Sequence, residues 1–213
     1  MASAQARPGP TPAPSPGLTD RGASRRAEVI AAAIDRLLER GFEGATVEEI
    51  CADAGASTGS VYHLFGSKRG LAGAAYAECM AGYQDSFLAA LRSHEGAEAG
   101  VKAAVRFQVE WCRQHPAMAR FLFLLRDPAI VAAAPIETDA RNVQFFEQVG
   151  DWWRLHVHYG TLRKLSVQQS YALWIGPAME LTRHWLTRGG PEPTKADVKV
   201  LAAGAWRAVG VAT

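Results

Sequence analysis

An all-α fold in two parts is predicted by three features of this 213-residue sequence. Apolar residues from Ser24 onward recur at helical spacing, and Ser, Thr and Gly punctuate them at helix-length intervals. No stretch shows the period-two alternation of an amphipathic strand. The 48% hydrophobic content suffices for a substantial core. After a tail over 1–23, the two parts expected are a three-helix unit over 24–71 and a larger helical unit over 72–213.

Residues 1–23 hold five of the eleven prolines, from Pro8 to Pro16 at every second position. That composition cannot pack a core and predicts a disordered tail of polyproline character. The first helix is expected from Ser24 to Arg40, where Val29, Ile30, Ala33, Ile34, Leu37 and Leu38 form one apolar stripe. Gly41 supplies its stop. Thr46 and Glu49 form a Thr-x-x-Glu capping box that opens a second helix with Val47, Ile50, Cys51 and Ala54 facing inward. Gly55 breaks it, and Ser57 caps a short third helix whose buried side is Val61, Leu64 and Phe65. Ser67 starts a long fourth helix to about Leu91, followed by a joint over Ser93–Gly100. Further helices are expected near 100–114, 116–125, 136–157, 166–188 and 195–209, with a kink at Pro177.

Composition narrows the function classes. No apolar run approaches the ~18 residues of a membrane span, and the N-terminus has no apolar core of a secretory signal, so a cytoplasmic location is expected. Cys51, Cys79 and Cys112 lie far apart, which argues against a disulfide scaffold. Net charge is only +2, and the segment from Arg21 to Tyr76 balances seven basic against seven acidic residues. Any nucleic-acid reading must therefore rest on where the charges sit. Four of the seven basic residues fall in the pairs Arg25–Arg26 and Lys68–Arg69, at expected helix openings. His156 and His158 lie two apart on a helix, about 200° around the axis, and cannot chelate one metal together. No nucleophile–base pattern or Gly-rich phosphate loop is present, so neither an enzyme, a metal nor a cofactor is expected.

The region about 46–65 has the form of a helix-turn-helix, with a small residue in the turn and a compact apolar contact. Such a pair lays its second helix in the major groove. Thr58, Gly59, Tyr62 and His63 project from that helix; Gly59 leaves bare backbone, and Tyr62 and His63 reach phosphates or base edges. Lys68, in the first turn of the next helix, adds a charge where free N–H groups already favour a phosphate, and Thr46 offers the same donors.

The run Gly41-Phe42-x-x-Ala45-Thr46-Val47-x-x-Ile50-x-x-x-Ala54-Gly55-Ala56-Ser57-x-Gly59-Ser60-Val61-Tyr62-His63-Leu64-Phe65-Gly66-Ser67-Lys68-x-x-Leu71 resembles the DNA-binding domain of TetR-family regulators. Carried over by position, the resemblance implies that Thr58, Gly59, Tyr62 and His63 line the recognition helix and that Thr46 and Lys68 hold phosphates. With Ser57 at the helix start, the expected DNA-binding set is Thr46, Ser57, Thr58, Gly59, Tyr62, His63 and Lys68. Cys51 departs from the family's usual alanine, and Leu64 from its usual bulky polar or aromatic residue. For the remainder, the resemblance implies a helical effector-binding and dimerisation domain whose last two helices form the dimer interface.

Thirteen of nineteen aromatic residues, all six tryptophans among them, follow residue 100. Phe107, Trp111, Phe121, Phe145, Phe146, Trp152, His156 and Trp174 are the expected walls of a pocket for a hydrophobic or aromatic small molecule. His156, Tyr159, Gln148 and Arg120 are its candidate polar anchors. Surplus apolar surface on Trp174, Ala178, Leu201, Ala205 and Val209 predicts a homodimer through 166–188 and 195–209. The function expected is a regulator that represses transcription on double-stranded operator DNA until an effector releases it. The alternatives are a helical ligand-binding protein or enzyme that keeps the fold without DNA binding, and a regulator switched by cysteine oxidation.

Overall fold

The computed structural model describes residues 16–125 and 127–211. Its helices run in the order α1 (Pro16–Gly44), α2 (Val47–Ala54), α3 (Thr58–Phe65), α4 (Lys68–Arg92), α5 (Ala97–Gln114), α6 (Pro116–Arg120), α7 (Pro128–Val131), α8 (Glu137–His158), α9 (Val167–Trp174), α10 (Gly176–Arg188) and α11 (Lys195–Val209). A π-helical turn, Phe121–Leu125, follows α6. Among the described residues the fold is all helical, with one isolated bridge between Leu162 and Gly210.

Several boundaries differ from expectation for definable reasons. Of the tail expected at 1–23, residues 1–15 lie outside the described residues, and 16–23 belong to α1. Gly41 does break α1, taking φ 69°, and one further turn ends at Gly44. Glycine adopts that left-handed conformation without a Cβ penalty. The helix expected at 166–188 is two helices, α9 and α10, meeting at Ile175. Pro177, in the first turn of α10, lacks a backbone N–H that the interior of one continuous helix would need. The joint expected at 93–100 is shorter, because α5 already starts at Ala97. Helix α7 went unread because four residues carry no periodicity.

The capping signals hold in detail. Thr46 Oγ1 accepts the Glu49 N–H at 3.2 Å, and the Thr46 N–H donates to Glu49 Oε2 at 3.2 Å. Ser57, Ser67, Ser166 and Thr194 cap α3, α4, α9 and α11 in turn.

The core is continuous from end to end. In the first part, Val29, Ile34 and Leu37 of α1 meet Ile50, Val61 and Leu71. In the second, α5 is the central rod, packed against α4, α10 and α11. Val101, Ala104, Val105, Val109 and Cys112 of α5 are all fully buried. Of the residues expected to leave an apolar surplus, Trp174, Ala178, Ala205 and Val209 are buried within this single chain, and Leu201 is half-buried. They are core residues, since α10 and α11 spend their apolar faces on α5 and α9.

Candidate DNA-binding surface and interior cavity

The helix-turn-helix is pinned to α1 by arginines. Arg25 Nη1 donates to the carbonyls of Ala54 and Gly55 at 3.0 and 3.2 Å, holding the turn itself. Gly55 takes φ 59° there, which closes α2 and redirects the chain. Arg36 grips Asp53 with two bonds, Nε to Oδ2 at 2.5 Å and Nη2 to Oδ1 at 2.9 Å. This bidentate pair holds the Asp53 carboxyl below its ordinary range. Arg26 pairs with Glu78 of α4 and lies 5.2 Å from the centre of the Phe65 ring. The Arg25–Arg26 pair, expected at a helix opening, thus sits inside α1 and is engaged within the chain.

Lys68 is placed differently from expectation. Its Nζ donates to the carbonyls of Phe42, Ala45 and Glu43 at 2.7, 3.0 and 3.3 Å, and lies 4.7 Å from the Phe42 ring centre. All three ammonium donors meet carbonyls of residues 42–45, at and just past the end of α1 and after its break at Gly41. The adjacent Arg69 is exposed and has no partner among the described residues. Thr46 is likewise committed, because its hydroxyl and N–H hold Glu49 and draw that carboxyl below its usual range. With Glu48 and Glu49 in its first turn, the start of α2 is already supplied with anions.

On α3, Gly59, Ser60, Tyr62, His63 and Leu64 face outward, with Tyr62 45% exposed, while Val61 is buried. Thr58 is half-buried, and Ser57 is exposed and accepts the Ser60 N–H at 3.2 Å. Leu64, expected inside, is 43% exposed, because Val61 and Phe65 alone cover the contact with α4 and α1. Ser60 was missed and stands on the same outward face; helical spacing from Gly59 and His63 could have found it. A Cβ added at Gly59 would meet nothing within 4 Å, so nothing inside the chain requires glycine there. Gly70 is the opposite case, since a Cβ there would lie 2.1 Å from the Phe65 carbonyl oxygen. The last turn of α3 therefore rests directly on the first turn of α4.

Below this unit the chain encloses a half-open cavity of about 760 Å³. Phe121, Phe145, Phe146 and Trp174 line it, as expected of them. Phe107, Trp111, Trp152 and His156 do not; they form the layer behind. Tyr83, which does line the cavity, packs on Phe107 and Trp111 with centroids 5.6 and 5.1 Å apart. Trp152 stacks on Trp174 at 5.8 Å. His156 is buried beside Trp152, and burial lowers its pKa. The other expected anchors are also elsewhere: Tyr159 is exposed, Gln148 accepts from Arg92 at 2.8 Å, and Arg120 donates to the Leu186 carbonyl at 3.3 Å. Sequence reading missed the contribution of α4, which supplies Tyr76, Met80, Tyr83, Gln84 and Phe87.

Cys51, Cys79 and Cys112 are free and buried. Burial pushes the Cys79 and Cys112 thiols up to about 11, away from the reactive thiolate. Among the described residues no three His, Cys, Asp or Glu side chains gather as a metal site, and no helix is long and apolar enough to cross a membrane.

Residues 29–75 match the family model of the bacterial regulatory proteins of the tetR family. No curated protein matches the chain. Among solved structures, a TetR family transcription regulator from Marinobacter aquaeolei VT8 superposes with a TM-score of 0.77 at 18% identity, covering 90% of this chain and 98% of that one. A putative tetR family regulator from Shewanella sp. PV-4 gives 0.70 at 17% identity, covering 88% and 99%. The transcriptional regulator FadR from Bacillus subtilis, solved in complex with stearoyl-CoA, gives 0.64 at 16% identity, covering 85% and 95%. At such identities the likeness is one of fold. Residues 29–75 thus match the DNA-binding domain model of the tetR family of bacterial regulatory proteins, and along nine-tenths of its length the chain has the fold of a TetR family transcription regulator.

Proposed function

We propose that the protein is a homodimeric repressor that binds operator DNA through α3 and releases it when a lipophilic small molecule enters the cavity. The observation that carries this reading is that one helix serves both sites. Helix α4 supports α3 at Gly70 and then lines the cavity from Tyr76 to Phe87. A cavity of about 760 Å³ with a mostly apolar wall suits a drug-sized or lipid-like compound. The stearoyl-CoA bound by the Bacillus subtilis relative supports a long apolar chain as one such compound.

The DNA-reading face is Gly59, Ser60, Tyr62, His63 and Leu64, with Ser57 and Thr58 at the helix start and Arg69 beside it. Its function is tested by selecting duplexes from a random-sequence library with the full-length chain and titrating the winner by fluorescence anisotropy. Sequence-selective binding at physiological salt is expected; binding no tighter than to random duplex would overturn the reading and favour a ligand-binding protein without DNA function. Gly59→Ala checks the face. The change meets open space and should stabilise α3 by about 0.5–1 kcal/mol. Operator affinity should nonetheless fall tenfold or more, because the methyl stands where the groove must approach bare backbone. Unaltered affinity would remove Gly59 from the interface.

The dimer face lies in the same two segments, 166–188 and 195–209, but on other residues than those expected. Leu173 is 42% exposed and Val200 66% exposed, whereas Ala205 is buried. The double variant Leu173→Arg, Val200→Arg should sediment as a folded monomer, while wild type sediments as a dimer at micromolar concentration. A monomeric wild type would end the dimer model.

A further inference from the structure

The cavity opens to solvent along α8 and α9. Of its five exposed lining residues, Phe146 and Arg154 belong to α8, Val167 and Tyr171 to α9, and Val131 to α7. Among the described lining residues only Arg154 and Asp127 carry charge, and they stand at opposite ends. Asp127 caps α7, accepting the Ala129 N–H at 2.8 Å, and the turn after α7 rests on Gly73 near the start of α4. Helices α4 and α8 run side by side in one direction, Gln84 bonding Asn142 and Arg92 bonding Gln148. Arg154 lies at the far end, about 18 Å along the α8 axis from Asn142, the first lining residue of that helix. Its guanidinium lies over Gly150, another lining residue, where an added Cβ would stand 3.0 Å from Nη1. It spends Nη2 on Asp151 at 2.5 Å and has no other partner among the described residues. Asp151 and Glu147 are exposed, and neither lines the cavity. From Trp152 to Met179, the stretch that supplies Arg154 and the α9 rim, the chain has no carboxylate side chain against three cations, Arg154, Arg163 and Lys164.

We infer that the cavity takes a single-chain amphiphile, its alkyl chain lying along α8 and its anionic head held at the mouth by Arg154. An exposed guanidinium meets an anion that keeps part of its hydration, whereas a charge drawn into the apolar interior would lose it. The bond to Asp151 is no obstacle, because an exposed ion pair is worth little and exchanges for a better-placed anion. A cationic head would be repelled by Arg154, and could reach Asp127 only across the apolar chamber. An extended chain advances about 1.2 Å per bond, so roughly fifteen bonds span the lined length of α8. The methyl end then meets Phe121, Leu122 and Ile130, all buried. That this ligand acts as the effector rests on the function proposed above; its binding does not, because it can be measured without DNA.

Because Trp153 and Trp174 line the cavity, the tryptophan fluorescence of the full-length protein reports binding. It is titrated with tetradecanoate, 1-tetradecanol and tetradecyltrimethylammonium below their micellar concentrations. Tetradecanoate is expected to bind about fivefold more tightly than the alcohol, the upper range for an exposed ion pair, and the ammonium most weakly. In about 1 M NaCl, where the screening length falls to about 3 Å, that preference should vanish. Arg154→Glu should put the ammonium ahead of tetradecanoate and leave the alcohol unchanged, while Asp151→Asn frees the guanidinium and should strengthen tetradecanoate alone. Both positions are exposed, and thermal melts verify that the variants fold; if one does not, the other and the wild-type ranking decide. Tetradecanoyl-CoA separates two sources of the head: preference for it over the free acid, lost in Arg154→Glu, assigns the head to phosphate, and the reverse preference assigns it to carboxylate. An alcohol that binds as tightly as the better anion, a ranking unmoved by Arg154→Glu, tightest binding of the ammonium, or no binding at all overturns the inference. Operator release is read in parallel. Anion binding as expected without release of DNA upholds this site and overturns the effector function, whereas release by the alcohol alone does the reverse.

Discussion

Lys68→Met is expected to lower stability by roughly 2–3 kcal/mol, the range for charge-assisted hydrogen bonds removed from a partly buried group. For a chain of this length the melting temperature should fall by about 5–10 °C. The ammonium is the clasp between the end of α1 and the start of α4, bonded to the carbonyls of Phe42, Glu43 and Ala45. Methionine keeps the stem against the Phe42 ring but donates nothing, so the carbonyls of Phe42 and Ala45, both half-buried, and the exposed carbonyl of Glu43 lose their partner. Operator affinity should fall because α3 loses its footing, and the salt dependence of what binding remains should keep its slope. Arg69→Ala makes the opposite case. Its melting temperature should match wild type, and the log–log salt slope should flatten by about 0.9 for each phosphate that is no longer neutralised. Thermal melts and salt titrations of the two variants separate clasp from phosphate ligand; a Lys68→Met protein with wild-type melting and a flattened slope would return Lys68 to the phosphate.

Lys68 also shows how far the sequence could be read. A lysine in the first turn of a helix, after a capping serine, has two outlets: an external anion, or carbonyls brought near by the fold. Only the second depends on where Gly41 sends the chain, and that is a tertiary fact. The same limit governs Arg25, Arg26 and Arg36, whose partners lie between 17 and 52 residues away. Local signals fared better. The Thr46–Glu49 capping box formed, since it involves residues three apart. The outward face of α3 followed from spacing, apart from Ser60, which was passed over, and Leu64, whose neighbours fill the contact without it. The cavity was half legible. Aromatic enrichment pointed to the right half of the chain, but an aromatic ring in a wall and one in the layer behind have the same sequence. Phe107 and Trp111 are therefore indistinguishable from Phe145 until α4 is in place. Tyr83 and Phe87 were missed because α4 is buried on several sides at once and shows no single apolar stripe.

Gly73→Ala is expected to weaken operator binding in the absence of any ligand by tenfold or more, and to blunt the response to cavity ligands. Gly73 lies one turn beyond Gly70 on α4, about 4.5 Å along the axis. A Cβ there would stand 2.1 Å from the carbonyl oxygen of Ala133, 2.4 Å from its carbonyl carbon and 2.8 Å from the Ala134 nitrogen. These are backbone atoms and cannot swing aside as a side chain would, so α4 and the 133–134 turn must part. That turn continues α7, whose Ile130 and Val131 line the cavity. The methyl should thus push on α4 at the place where a ligand moving α7 would push. The resulting shift reaches α3 through the contact between Gly70 and the Phe65 carbonyl. In a dimer it alters the separation of two recognition helices that must meet half-sites about 34–36 Å apart. Overpacking of this kind should also cost about 1–3 kcal/mol of stability. Gly82→Ala is the control on the same helix: it is exposed, a Cβ there meets nothing within 4 Å, and it should leave operator binding unchanged while slightly stabilising α4. Anisotropy titrations of both variants with labelled operator decide the matter. If Gly73→Ala binds and releases operator as wild type does, the 133–134 turn is no part of the coupling, and the signal must pass from the cavity along α4 itself.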